Sequence, residues 1–100
     1  MSTMFVWTDT DTQGGSAFGG TIAVLADSVQ DARDKVLAFA EANPAEVCGA
    51  YEATHFTAPL DRCGAHYLGD QPKTHRQVLA EDLAKEPQQV AVLIAAGGDL

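Results

Sequence analysis

The sequence predicts an α+β domain in two layers, a four-stranded and mostly antiparallel sheet with two helices on one face, in the order ββαβαβ. Three observations predict it. Two continuous apolar runs, TIAVLA at 21–26 and VAVLIAA at 90–96, have the length and β-branching of strands. Two other stretches, 28–43 and 74–86, place apolar residues at helical spacing between start and stop signals. Glycine and proline separate these pieces, and one hundred residues suit a single domain, 1–100, with no room for a second.

Residues 4–8, Met-Phe-Val-Trp-Thr, are aromatic and β-branched and read as the first strand. The glycine-rich stretch DTDTQGGSAFGG then forms a loop or hairpin tip that carries Phe18, either a core anchor or a contact for a partner. The run 21–26 is expected to be buried on both faces. Ser28 can cap a helix whose Val29, Ala32, Val36, Phe39 and Ala40 form one stripe and which Pro44 ends. Residues 46–57, EVCGAYEATHFT, carry strand formers with partial alternation and are expected to be the third strand. A long connection, 58–71, follows. Thr74 and Gln77 have the form of a capping box opening a second helix, with Val78, Leu79 and Leu83 inward and His75 exposed in the first turn. The run 90–96 closes the domain as a central strand before Gly97-Gly98.

Composition narrows the function. Of the 46% hydrophobic residues, 17 are alanine, so the core is thin and a homodimer covering the bare sheet face would complete it. Fourteen Asp and Glu against six Lys and Arg give a net charge of −8, which disfavours binding to phosphate backbones and favours a protein partner with a basic surface. The same charge would let an acidic domain occupy a nucleic-acid groove on another protein. The N-terminal stretch MSTMFVWTDT has no basic leader and only a short apolar run, so a cytoplasmic protein without membrane contact is expected. In that compartment Cys48 and Cys63 are expected as free thiols.

Chemistry-bearing residues gather in 47–70, VCGAYEATHFTAPLDRCGAHYLGD. Cys48, His55, Cys63 and His66 are the right types for zinc, and Cys63-Gly-Ala-His66 is a plausible ligand pair. On a regular strand, however, Cys48 and His55 would face opposite sides. Tyr51, His55, Cys63 and His66 could instead line a pocket for a small ligand or for acid-base catalysis, formed by strand 46–57 and loop 58–71. Cys63, beside Arg62, is the better nucleophile. Asp9, Asp11, Gln13 and Gly14 open like a calcium loop, but its closing glutamate is replaced by Gly20. No Ser-His-Asp or paired-carboxylate set stands out. The expectation is a small acidic regulatory domain without catalysis or cofactor, an accessory or inhibitor protein of the phage or mobile-element kind. A ligand-binding or catalytic pocket and a zinc module are the alternatives.

Overall fold

The computed structural model describes residues 3–12, 20–63 and 71–91. Among them the fold is α+β, with a three-stranded antiparallel sheet in the order β2-β1-β3 and four α-helices. The strands are β1 (Thr3–Thr10), β2 (Gly20–Ala26) and β3 (Gln88–Ala91). The helices are α1 (Val29–Ala42), α2 (Ala45–Cys48), α3 (Ala50–His55) and α4 (His75–Ala84), with a 3₁₀ turn at Pro59–Asp61. No helix among the described residues is long and apolar enough to cross a membrane.

β1 is central, pairing with β2 on one side and β3 on the other. Phe5 and Trp7 point inward beside Val24 and Ile22, and all four join the core. Burying an aromatic or large aliphatic side chain is worth about 1.5–3 kcal/mol, which makes Trp7, at 2% exposure, a major anchor of the sheet. Between the pairs Trp7–Ile22 and Thr10–Gly20 the register shifts, so Thr8 and Asp9 stand opposite Thr21 alone. Asp9 absorbs the extra residue at φ 54°, a left-handed conformation that aspartate tolerates better than most side chains. Gly20 is required at the far side, because a Cβ there would come within 2.6 Å of the Thr12 carbonyl oxygen and overlap the Thr10 hydroxyl.

The expectation that β2 is buried on both faces is corrected: its burial alternates, and Leu25 is 44% exposed. Nor is the last strand central. The described part of that run, in β3, lies at the edge of the sheet and is exposed throughout, while 92–96 fall outside the described residues.

Ser28 caps α1 as expected, accepting from the Asp31 backbone N–H at 3.1 Å. The Asp27 backbone N–H, and then Lys35, hold the Asp31 carboxyl below the usual carboxylate range. Ala32 and Ala40 are the fully buried positions of α1, small enough to let the helix lie close on β2. Phe39, expected in that stripe, is instead 55% exposed.

The expected strand over 46–57 is α2 and α3 instead, so the described residues do not confirm the four-stranded sheet or the order ββαβαβ. Ala45, Glu46, Ala50, Glu52 and Ala53 are good helix formers, and Pro44 sets φ at −61° for entry into α2. Gly49, at φ 90°, separates the two helices. The strand-forming or polar residues fit by bonding back one turn: the Thr54 hydroxyl donates to the Ala50 carbonyl at 2.8 Å, and the Cys48 thiol to the Pro44 carbonyl at 3.1 Å.

Helix α4 opens on the expected capping box, with Thr74 and Gln77 satisfying each other's backbone N–H groups. Its buried residues are His75, Val78, Leu79, Asp82 and Leu83. That is one regular helical stripe in which two of five positions are titratable.

Candidate functional site

The segment that concentrates chemistry in the sequence is divided by the fold. Cys48 is buried at the end of α2, where burial, and then the negative charge of Glu52, push its thiol above the ordinary range. Such a thiol is a poor nucleophile. Tyr51 and His55 share an exposed face of α3, stacked with ring centroids 4.0 Å apart, and the His55 Nδ1 lies 2.9 Å from the Tyr51 carbonyl oxygen. Cys63 is exposed, and its backbone bridges to Thr74. The Arg62 guanidinium stands 3.5 Å over the Phe56 ring. His66 and Phe18 lie outside the described residues. Tyr51 and His55 are therefore together, but on a helix and facing solvent, not on the wall of a pocket made by a strand. Among the described residues no three His, Cys, Asp or Glu side chains are placed to hold a metal ion, and both cysteines are free thiols.

Two polar constellations that the sequence did not single out lie on α4. His75, expected to be exposed, has no exposed surface, and its Nε2 donates to the Glu52 carboxylate at 2.9 Å. This bond ties α4 to α3. Next to it Arg76 reaches outward to both Glu41 and Asp61, joining α4 to α1 and to the 3₁₀ turn.

The second constellation is centred on Asp82, which is also fully buried. Its two carboxylate oxygens accept the backbone N–H groups of Asp11 and Thr12, each at 2.9 Å, and the Lys85 ammonium lies 3.5 Å away. The Trp7 indole N–H donates to the Lys85 carbonyl at 2.9 Å, and the Arg33 guanidinium to the Leu83 carbonyl at 2.6 Å. The C-terminal turn of α4 thus grips the end of β1 and one face of α1. The signal for both residues was available: His75 and Asp82 occupy the same helical stripe as Val78, Leu79 and Leu83.

Two surfaces remain unused by these bonds. One is a cleft of about 660 Å³ between β2, α1, α2 and α4, lined by Ile22, Val24, Val36, Phe39, Val47 and Leu79, with Thr12, Lys35 and Glu46 also on its lining. The other is the sheet face opposite the helices. There Leu25, Met4 and Val90 are cross-strand neighbours in one row, Leu25 and Val90 being 44% and 50% exposed, and Ala23, Val6 and Gln88 make the next row. No protein-family model, curated protein or solved structure matches this chain.

Proposed function

We propose that this chain is a non-catalytic, acidic protein-binding domain that pairs with a second copy through the open face of its sheet, and that the dimer acts as an accessory or inhibitor of a protein with a basic surface. The row Leu25–Met4–Val90 carries this reading. Its side chains and those of the adjacent row are uncharged, although the chain has a net charge of −8. Two copies meeting there avoid their mutual charge repulsion at the contact itself while removing apolar surface from water. The net negative charge of the rest of the chain would attract a basic partner.

The size of the face sets the strength. Strands about 4.8 Å apart with a rise of about 3.3 Å per residue make it roughly 15 by 23 Å. Two such faces bury roughly 700 Å² in total, well below the low end of stable interfaces at about 1,200 Å². The dimer is accordingly weak and concentration-dependent.

Sedimentation velocity over a wide concentration range tests the pairing. The expected result is a monomer–dimer equilibrium that Leu25→Lys and Val90→Lys each shift to monomer without unfolding the chain. A monomer at every concentration, or a dimer indifferent to both substitutions, would overturn it.

A further inference from the structure

We infer that the ring cluster of α3 and the Arg62 beside it form a docking surface for a peptide segment of another protein that carries one carboxylate side chain next to an apolar one. The cluster is a continuous array. His55 stacks on Tyr51 with ring centroids 4.0 Å apart, Tyr51 meets the Phe56 ring edge-on at 6.4 Å, and the Arg62 guanidinium stands 3.5 Å over Phe56. Tyr51, at 68%, is the most exposed large hydrophobic side chain among the described residues. Tyrosine and arginine are the residue types that most often anchor interfaces. Here the tyrosine ring is already braced by two neighbours, so it has less side-chain freedom to lose on binding.

The cations of the chain single out Arg62. Arg33 donates to the Leu83 carbonyl, Lys35 pairs with Asp31, Lys73 with Glu81, Arg76 with Glu41 and Asp61, and Lys85 with Asp82. Arg62 is the sixth, and among the described residues its guanidinium meets a ring and no oxygen acceptor. The neighbouring acids do not supply one: Asp61 is bound to Arg76 and Glu52 to His75, each at 2.9 Å. The Arg62 backbone is nonetheless held on both sides, its N–H donating to the Pro59 carbonyl at 3.2 Å and its carbonyl accepting from the His75 N–H at 3.1 Å. A guanidinium laid against a ring keeps its rim of N–H donors, a planar fork that matches the two oxygens of a carboxylate.

Charge selects the partner. The chain carries a net charge of −8, which opposes a polyanion or a dianionic phosphate with every charge that it brings. A single carboxylate matches the guanidinium at the least repulsion. The exposed Tyr51 ring then takes the apolar neighbour. This surface belongs to α3 and the residues after it, not to the open sheet face, so it stands independently of the proposed dimer.

The test binds the full chain to an array of acetylated, amidated hexapeptides that hold one glutamate between varied apolar residues, with matched peptides in which glutamine or phosphoserine replaces the glutamate. The strongest glutamate peptide is then titrated into the chain, followed by the backbone amide resonances of residues 50–62. Saturable shifts are expected there, with the glutamate peptide binding about tenfold tighter than its glutamine counterpart, the worth of one charge-assisted pair, and tighter than the phosphoserine peptide. Arg62→Gln should remove the preference for glutamate, and Tyr51→Ala should weaken the glutamate and glutamine peptides alike by about tenfold. Both positions are exposed, and circular dichroism verifies that each variant is folded. Leu25→Lys should leave the binding intact, which separates this surface from the dimer face. The inference is overturned by the absence of saturable binding from every glutamate peptide, by equal binding of the glutamate and glutamine peptides, by tighter binding of phosphoserine, by a preference that survives Arg62→Gln, or by shifts confined to the sheet face.

Discussion

Replacing Asp82 by alanine should destabilise the domain more than any other loss of a single charged group. The carboxylate is fully buried and accepts two backbone N–H groups at 2.9 Å each. Hydrogen bonds to an ionised group contribute about 1.5–3 kcal/mol apiece, so the pair is worth roughly 3–6 kcal/mol before the carboxylate's own desolvation is subtracted. Removing the charge relieves that desolvation but strands the Asp11 and Thr12 N–H groups and leaves a small void. A net loss of about 3 kcal/mol is expected, within the roughly 3–5 kcal/mol typical of breaking one side of a buried ionic arrangement. For a domain of this size each kcal/mol lowers Tm by about 4–8 °C, giving a fall of roughly 12–24 °C.

Asp82→Asn keeps the shape but presents an amide NH₂ to one of the two N–H donors, so it should cost about half to two-thirds as much. Urea unfolding followed by Trp7 fluorescence measures both variants, because the Trp7 indole is bonded to the turn that follows Asp82. Hydrogen exchange adds a local readout: the Asp11 and Thr12 amides should lose protection before the rest of β1. If Asp82→Ala costs less than about 1 kcal/mol with those amides still protected, the clamp contributes nothing net and the reasoning fails.

Other outcomes follow from the same groups. Exposed Cys63 should react with a disulfide reagent at pH 8 in an initial burst, whereas Cys48 should react only when the chain unfolds; equal rates would contradict the burial of α2. Because folding raises the Cys48 thiol pKa, the associated stability is fully present below the ordinary value of about 8.5 and is lost as pH rises through the raised value. The urea midpoint should therefore fall with pH above about 8.5, and less so in Cys48→Ala. His75→Ala should cost about 2–4 kcal/mol by opening a void and stranding Glu52, while exposed His55→Ala should stay within about 0.5 kcal/mol. Similar costs for the two histidines in urea unfolding would refute the placement of His75.

How far the fold was legible depended on whether local chemistry and tertiary burial agreed. Ser28 with Asp31, and Thr74 with Gln77, are local devices whose hydrogen bonds span three residues, so α1 and α4 were readable from the chain alone. Residues 46–57 failed because Val47, Tyr51, Thr54 and Phe56 suggested extension, whereas Ala, Glu and the Pro44 entry favoured helix and the branched or polar side chains could bond back to carbonyls one turn earlier. The bulge at Asp9 left no mark in the sequence beyond a residue type that tolerates positive φ. It nonetheless carries the chain to where Asp11 and Thr12 meet Asp82.

The candidate site failed for a related reason. Closeness along the chain points to His55 and Cys63 and not to His75 and Asp82. In the fold, the stripe position matters more. Residues 75, 78, 79, 82 and 83 face inward together, and the two titratable ones must then find partners in the interior. They find them on other elements, Glu52 on α3 and the backbone after β1. These two groups are thereby committed to holding helices against each other and against the sheet. Among the described residues, the Leu25–Met4–Val90 row, the exposed Phe39 ring, the Tyr51–His55 pair and the Cys63 thiol lie outside these contacts. The inward-facing titratable side chains of α4 thus serve the architecture of the fold.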